Sequence, residues 1–543
     1  MIKEDIKKII EKTTGVSADK FSVEVPSNKN FGDYSTNVAM VLKKNPNEIA
    51  EEIKSDLFKK VEIKNGFINF FVADKYFIDA IKNVSQKPAF AKASAWRGKK
   101  VVIDYTDPNP FKEFHIGHLM SNAIGESISR IFEFKGARIK RVCYQGDVGL
   151  HVAKAIWGKM KDDEKTWGES YAFGATSYEE NEEAKKEIIE LNKKIYARSD
   201  KDINRLYDEG KKESLKYFDE IYKTLDTKFD DLIFESQVTE LGKKIVEKGL
   251  KDGIFEKGEG GAIIFRGENY GLHTRVFINS DGLPTYEAKD LGLAELKYKK
   301  YKYDESVVVT ANEQNSHFAV MLCALDKLDK KLAEKTKHIG HGMLRLPEGK
   351  MSSRTGKVIT AESLIKKVED LVKEKIKDRD LSEEEKLKIA EIVAIGAIKY
   401  SILKQSIGSD IIFDFDKSIS FEGDSGPYLQ YSYTRAKSVL KKAKEEGIKS
   451  SLKKIPDEIS QLEKSISYFP EIVLKAEESL EPHFLILYLT ELAGLFNSYY
   501  AKNKIVDKTN YDISAYRVAV AEAFSVVMEN GLWMLGIKTL EKM

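Results

Sequence analysis

The feature that most limits the possible folds is a buried strand followed by a loop and an amphipathic helix. Residues 101–105 read as an apolar strand, and apolar residues then recur at helical spacing from Leu119 to Phe132. Residues 139–144 have the composition of a second strand. Strand, helix and strand in this order predict a βαβ unit, the start of a doubly wound, Rossmann-type parallel sheet in an α/β protein.

The pattern changes along the chain, and 543 residues are too many for a single hydrophobic core. Residues 1–85 mix a helix, turns and short alternating runs, which predicts a small α+β domain. Strand-like runs then continue and predict a Rossmann domain over 96–370, with a charged helical insertion at about 159–235. Residues 371–543 are helical in pattern almost throughout and predict an α-helical C-terminal domain.

Composition excludes several classes of protein. Hydrophobic residues make up 42% and charged residues 32% of the chain, as in soluble folded proteins, and no apolar run reaches bilayer length, so we expect no membrane partner. Cys143 and Cys323 are too few for a disulfide framework or a four-ligand zinc site. Without a recognisable export signal, the expected location is the cytoplasm. The net charge of +2 leaves nucleic-acid binding to local patches, such as the basic run that begins at Arg435.

The loop before the first sheet helix ends in a motif of two histidines around a glycine, His115, Gly117 and His118. A helix N-terminus offers unpaired N–H groups and partial positive charge, so these histidines can stabilise a triphosphate, and the glycine lets a flat base approach. The same four letters recur at 338–341, where the flanking residues predict a strand. We therefore assign the chemistry to the first copy.

A second motif follows the second copy and contains Lys350, Met351, Ser352 and Ser353 between two glycines. A lysine and small hydroxyl residues suit a loop that closes over phosphates, although such a segment alone is more often a surface turn. Its position, after the α/β pattern and before the helical region, favours the phosphate role.

The two motifs, more than two hundred residues apart, together resemble those of class I aminoacyl-tRNA synthetases. Segments at 31–37, 107–109, 146–149 and 423–431 are similar to signatures of the arginyl enzymes, and the resemblance covers essentially the whole chain. It implies an arginine–tRNA ligase that forms arginyl-adenylate from ATP and transfers arginine to the 3′ end of tRNA(Arg). It also implies an N-terminal domain that contacts the tRNA elbow and a C-terminal anticodon-binding domain. We expect a monomer, Mg²⁺ carried by ATP, and no dedicated protein metal site.

The resemblance also implies which residues bind arginine. Planar carboxylates suit a guanidinium, and Asp104 and Asp290 supply them. Tyr286 precedes Asp290 by four residues and would share its helical face. The implied set is Asp104, Asp107, Asn109, Tyr286, Asp290 and Gln314.

The ATP site departs from the class pattern at one position. Ser353 stands where the class has a second lysine, and we hypothesise that Lys112, three residues before His115, replaces it. The predicted catalytic residues are His115, His118, Lys112 and Lys350. The predicted ATP-binding residues are His115, Gly117, His118, Lys350, Met351, Ser352 and Ser353.

Aromatic and basic residues of the helical region are the predicted tRNA contacts, namely Tyr428, Gln430, Tyr431 and Arg435. Roles in the hydrophobic core are an equally good interpretation of the tyrosines. A synthetase for another amino acid is an alternative, but two cysteines cannot supply the cysteinyl enzyme's zinc site, and the Leu, Ile and Val enzymes carry larger editing domains. A synthetase-like RNA-binding protein without activity is kept open by Ser353.

Overall fold

The computed structural model describes residues 1–85, 96–346 and 359–543. The helices are α1 (Ile2–Thr14), α2 (Val38–Leu42), α3 (Pro46–Glu52), α4 (Asp74–Ser85), α5 (Ile116–Phe134), α6 (Leu150–Lys161), α7 (Trp167–Glu180), α8 (Glu182–Ala197), α9 (Lys201–Thr224), α10 (Glu235–Lys251), α11 (Tyr286–Tyr301), α12 (Asn315–Leu328), α13 (Lys330–Glu334), α14 (Ala361–Ile376), α15 (Glu383–Leu403), α16 (Phe415–Ser418), α17 (Gly426–Glu445), α18 (Gln461–Ser467), α19 (Phe469–Ser479), α20 (His483–Lys502) and α21 (Tyr511–Met534). The strands are β1 (Val23–Glu24), β2 (Tyr34–Thr36), β3 (Phe58–Lys64), β4 (Phe67–Val72), β5 (Lys100–Asp104), β6 (Arg138–Gln145), β7 (Asp231–Phe234), β8 (Glu256–Lys257), β9 (Ile263–Phe265), β10 (Arg275–Ile278), β11 (Glu305–Ala311), β12 (Thr336–His341), β13 (Leu344–Arg345) and β14 (Ile411–Ile412).

A five-stranded parallel sheet forms the centre of the molecule, in the order β12-β11-β5-β6-β7. The chain builds β5, β6 and β7 in one direction and then places β11 and β12 on the other side of β5, which confirms the predicted doubly wound fold. Helix α5 follows β5 and buries the apolar stripe predicted from the sequence, including Leu119, Ile124 and Ile128. The second copy of the histidine motif lies in β12, as predicted.

Residues before and after this sheet form the two other predicted parts. The N-terminal part carries an antiparallel sheet in the order β1-β2-β4-β3, and α1 packs Ile2, Ile6 and Ile10 into its core. The C-terminal part, from α14 onward, is helical apart from the short strand β14. Tyr34 donates a hydrogen bond to Glu471 at 2.8 Å, so the two parts contact each other directly.

Helices α7, α8 and α9 lie within the charged segment predicted to be inserted at about 159–235, and they end at Thr224. The chain then returns to the central sheet as β7. A short antiparallel sheet, β10-β9-β8, precedes α11. No helix in the described part of the chain combines the length and the apolar character that crossing a bilayer requires.

One end of α5 is tied to distant parts of the chain by buried charges. Arg130 donates to Glu126 at 2.6 Å, to the carbonyl of Asp226 at 2.7 Å and to the carbonyl of Trp533 at 3.2 Å. Arg141 of β6 also contacts Glu126, at 3.0 Å. The helix that begins at the histidine motif is therefore fixed at its far end to the insertion and to the C-terminal helices.

Close packing of α5 on the first strand generates a stability prediction. A Cβ at Gly125 would lie 2.2 Å from the Tyr105 ring, whereas a Cβ at Gly494, also in a helix, meets nothing closer than 3.9 Å. We expect Gly125→Ala to lower the free energy of unfolding by about 1–3 kcal/mol through overpacking. Gly494→Ala should instead raise it by about 0.5–1 kcal/mol. Urea unfolding followed by circular dichroism measures both, and equal effects would contradict the packing described.

Candidate active site

A cavity of about 360 Å³ lies at the carboxyl ends of β5 and β11, where the strand order of the parallel sheet reverses. Ligands of doubly wound folds bind in this position because the loops of adjacent strands diverge there. The structure brings all six residues of the predicted arginine set to its wall. These are Asp104, Asp107, Asn109, Tyr286, Asp290 and Gln314.

One face of α11 supplies much of the wall and contains a lysine that sequence reasoning missed. Tyr286 is 61% exposed at the start of the helix, and Asp290, Leu293 and Lys297 follow along the cavity. Lys297 lies seven residues after Asp290, so helical periodicity applied beyond Asp290 would have found it.

Lys297 and Asp104 form a fully buried ion pair, with 2.8 Å between Nζ and Oδ2. Burial raises the pKa of Asp104, and the lysine opposes that effect. The other oxygen, Oδ1 of Asp104, is buried without a hydrogen-bond partner in the described part of the chain. A buried acceptor in this state is costly unless a ligand supplies a donor.

Asp290 is held by a second group that the sequence did not reveal, His317 of α12. The His317 Nε2 atom lies 2.6 Å from Oδ2 of Asp290, and its Nδ1 atom lies 3.4 Å from Oε1 of Glu287. Burial alone would lower the pKa of His317, but its hydrogen bonds to these two carboxylates raise it to about 9. At neutral pH the imidazole is therefore protonated.

Asp107 and Asn109 are braced against the end of β6. The backbone N–H of Tyr144 donates to Asp107 at 2.7 Å, and that of Gly146 donates to Asn109 at 2.9 Å. Burial and the nearby Asp104 raise the pKa of Asp107 well above its usual range. Because Oδ1 of each side chain accepts a hydrogen bond from the backbone, both side chains are held in fixed positions in the cavity wall.

The histidine motif begins α5 and caps it. The backbone N–H of Gly117 donates to Nδ1 of His115 at 3.1 Å, and the backbone N–H of His115 donates to Nδ1 of His118 at 3.2 Å. Since each Nδ1 accepts a hydrogen bond, each neutral ring carries its proton on Nε2 and keeps that N–H as a donor. Burial lowers the pKa of His115 to about 4 and that of His118 well below its usual range, so both rings are neutral.

Lys112 lies in the same loop, close enough to lower the pKa of both histidines. It is half-buried, with Nζ 4.5 Å from the centre of the Tyr171 ring, and burial lowers its own pKa to about 8. A desolvated ammonium of this kind interacts strongly with any anion that enters the site.

The insertion helix α9 supports this loop. Ser214 accepts from the backbone N–H of Phe111 at 2.9 Å, and Tyr217 accepts from that of Phe114 at 3.3 Å. Phe111 has a φ of 69°, a left-handed conformation that costs energy for a residue with a side chain. The insertion helices therefore hold the loop in a shape that it would not adopt alone.

Lys350, Met351, Ser352 and Ser353 lie outside the described residues. The chain that follows them reaches the histidine motif. The backbone N–H of Ile116 donates to the carbonyl of Ile359 at 3.3 Å, and Thr360 forms a backbone bridge with His115. The C-terminal flank of the second motif is thus fixed beside the first.

The predicted tRNA residues on α17 differ in how far they are buried. Arg435 lies over the rings of Tyr431 and Tyr500, at 4.7 and 5.2 Å, in a groove of about 570 Å³. Tyr428 is half-buried and accepts from Asn497 at 3.1 Å. Gln430, in contrast to the expectation, is fully buried and donates to the carbonyl of Lys538 at 2.8 Å, because its helix position faces α15. It is unavailable to a tRNA in this structure.

Comparison with known proteins agrees with the fold and its three parts. Residues 81–415 match the catalytic domain of class I tRNA synthetases (R), residues 429–543 the DALR anticodon binding domain, and residues 1–72 the arginyl tRNA synthetase N-terminal domain. These matches define a class I aminoacyl-tRNA synthetase.

Individual relatives identify the family within this class. An Arginine–tRNA ligase of Clostridium acetobutylicum is 32% identical over 100% of this chain and 99% of its own length. One of Fusobacterium nucleatum is 33% identical over 96% of this chain and 95% of its own. The arginyl-tRNA synthetase structure of Thermus thermophilus, 23% identical, shares the fold over 100% of both chains with a TM-score of 0.81. The chain belongs to the arginyl-tRNA synthetase family.

The buried Lys297–Asp104 pair generates the second prediction. Replacing Lys297 by Met leaves an uncompensated carboxylate in the core, so the free energy of unfolding at pH 7.5 should fall by about 3–5 kcal/mol. The double variant Asp104→Asn with Lys297→Met removes both charges and should recover most of the loss. Urea unfolding of the three proteins measures this. If the double variant is no more stable than Lys297→Met, the two groups are not coupled as described.

Proposed function

We propose that this chain is an arginine–tRNA ligase, which activates arginine with ATP to arginyl-adenylate and then transfers it to the 3′ end of tRNA(Arg). One observation carries the proposal. A cavity is lined by Asp104, whose buried Oδ1 has no hydrogen-bond partner among the described residues, and it lies at the sheet whose next helix begins at the two histidines. A cationic side chain and a triphosphate can therefore be bound by adjacent parts of one cleft.

The acidic cavity takes the guanidinium end of arginine. Asp104 and Asp290 offer carboxylate oxygens to its N–H groups, and Tyr286 at the mouth covers the planar group. Asn109 and Gln314 bind the α-amino and carboxylate groups, with Asp107 as their brace. Lysine, whose ammonium is a compact point charge, cannot satisfy two carboxylates in the same planar way.

ATP binds at the start of α5. The Nε2–H groups of His115 and His118 donate to phosphate oxygens, and Gly117 leaves room above the capping ring, since a Cβ there would lie 2.9 Å from His115. Lys112 adds the positive charge that Ser353 does not provide. Lys350, Met351, Ser352 and Ser353 of the second motif are proposed to bind the same phosphates.

Catalysis requires positioning and charge stabilisation, and no protein nucleophile. The arginine carboxylate attacks the α-phosphorus in line, an oxygen–phosphorus bond forms, and pyrophosphate leaves with the electrons of the bond that breaks. A terminal ribose hydroxyl of tRNA then attacks the carbonyl of the adenylate and AMP leaves. Mg²⁺ is proposed to arrive with ATP, held by phosphate oxygens and water.

The tRNA is proposed to lie along the helical domain. The groove at Tyr431 and Arg435 also presents Arg379, Lys442 and Lys542, so it can bind phosphates while its tyrosines stack on bases. Residues 1–85 would contact the tRNA elbow, 96–370 catalyse, and 371–543 bind the anticodon. We further propose that the enzyme acts as a cytoplasmic monomer.

Exchange of pyrophosphate into ATP, measured for each amino acid with and without tRNA, tests the proposal directly. We expect exchange with arginine alone among the twenty amino acids. Exchange with another amino acid would assign a different synthetase, and no exchange under any condition would favour a non-catalytic RNA-binding protein.

The proposed role of Lys112 generates a prediction. Lys112→Ala should slow adenylate formation by about 10²- to 10³-fold, the cost of losing one placed donor to a developing charge. Lys112→Arg keeps the charge and should retain much more of the rate. Single-turnover kinetics with saturating arginine and tRNA measure both variants. An alanine variant within a few-fold of the parent would remove Lys112 from the catalytic set.

The groove at Tyr431 and Arg435 generates another prediction. Arg435→Ala should raise the KM for tRNA and reduce the slope of binding against salt by about one counterion, while the exchange rate with arginine at saturating tRNA stays unchanged. Lys299→Ala, at an exposed site on α11, serves as the control. Filter binding from low to high salt measures the slope. An unchanged affinity in Arg435→Ala would place the tRNA elsewhere.

A further inference from the structure

His317 is already hydrogen-bonded to Asp290, the carboxylate that the proposed substrate needs. Its Nε2 atom lies 2.6 Å from Asp290, which lines the cavity, and His317 itself lines the same cavity. Both side chains are largely buried, His317 at 8% and Asp290 at 13% exposure, so bulk water screens their charges only weakly. The cavity thus contains a cation, the imidazolium of His317, beside the carboxylate at which the guanidinium is proposed to bind.

The titratable and charged groups near His317 lie on three neighbouring elements. Helix α11 presents Asp290 and Glu287, and β10 presents Arg275, whose guanidinium lies 3.3 Å from Glu287. Strand β12 presents His338, which stacks on Phe318 4.0 Å away, and burial lowers the pKa of His338 to about 4, so it is neutral. Strand β12 also presents His341, whose pKa burial lowers as well.

This arrangement makes the two contacts of His317 unequal. Among the described residues Asp290 has His317 as its cationic partner, while Glu287 has Arg275 as a second one. The Nε2 contact is short, and the Nδ1 contact with Glu287 is long at 3.4 Å. Removal of the Nδ1 proton therefore leaves Asp290 hydrogen-bonded and Glu287 still paired.

We propose that arginine binding expels a proton from His317, so that the guanidinium takes over the charge of the imidazolium beside Asp290. The inference rests on the proposed function, because it requires Asp290 to receive the guanidinium. A second cation within a few ångströms destabilises the first, and the proton leaves from Nδ1 to solvent while Nε2–H continues to donate to Asp290. His317 acts as a positioning and specificity-determining residue, since a neutral ligand does not drive the exchange.

The exchange has a defined dependence on pH. His317 is charged in the empty enzyme up to a pKa of about 9, and the charged form disfavours arginine. Arginine affinity should therefore rise with pH below that value, by up to about tenfold per unit, and become constant above it. Citrulline, which carries an uncharged urea in place of the guanidinium, should show no such dependence.

Calorimetric titration of the full chain, saturated with tRNA, tests the proposal. Arginine is titrated at pH 7.5 in two buffers with different ionisation enthalpies, which gives the number of protons released. We expect up to one proton per arginine for the parent protein, none with citrulline, and none for His317→Gln. His338→Gln, a matched change at a neutral histidine of the same cluster, should release protons as the parent does.

Steady-state kinetics from pH 6.5 to 8 provide the second readout. The ratio of the arginine KM of the parent to that of His317→Gln should fall by up to about tenfold per unit of rising pH, with kcat of the two changing in parallel. The α-amino group of arginine titrates equally in both measurements and cancels in the ratio.

The outcomes separate the two proposals. If arginine neither binds nor supports pyrophosphate exchange, the proposed function fails. If arginine binds and is activated but the parent releases no proton, the inference about His317 is overturned and the function stands. The measurement on the parent needs no variant, so a His317→Gln protein that does not fold leaves this test intact.

Discussion

The reversal of strand order between β5 and β11 is the constraint on which the rest of the structure depends. Parallel strands end at the same edge of a sheet, and only at a reversal do the loops that follow them turn apart and leave a cleft. The loop after β5 carries Asp107 and Asn109, and the turn after β11 carries Gln314. Side chains distant in sequence are therefore brought to one cavity by the backbone topology.

Burial of charge at this edge explains the pairing seen around the cavity. Each carboxylate removed from water needs a compensating partner, and three of them have one. Asp104 has Lys297, Asp290 has His317, and Glu235 has Lys289 at 2.6 Å. Because the partners are themselves fixed by helix packing, the carboxylates of the cavity are held in position before a substrate arrives. The substrate then meets oxygens that are already oriented.

Much of the fold and the first group of site residues could be predicted from the sequence. Strand β5 is a continuous apolar run, helix α5 has strong apolar periodicity, and the histidine motif marks the helix start. Lys297 was missed because the helical periodicity was not followed beyond Asp290, and His317 was missed because a lone histidine carries no pattern of its own. Lys297 becomes important because α11 packs against β5 and brings it to Asp104, and His317 because α12 packs beside α11 and brings it to Asp290. The burial of Gln430 was likewise invisible, since the polar residue satisfies the backbone of a distant segment at Lys538.

Helix α5 extends from the two histidines of the proposed ATP site to the contacts of Arg130 with the helical domain. It has 19 residues and so spans about 28 Å, with the capping histidines at one end and Arg130 near the other. A rigid rod of this length converts a tilt of about two degrees at the end near Arg130 into a displacement of about 1 Å at the tip, enough to misalign an in-line reaction. The precision of the histidines is thus set partly by how exactly Trp533 and Asp226 hold a guanidinium far from the nucleotide.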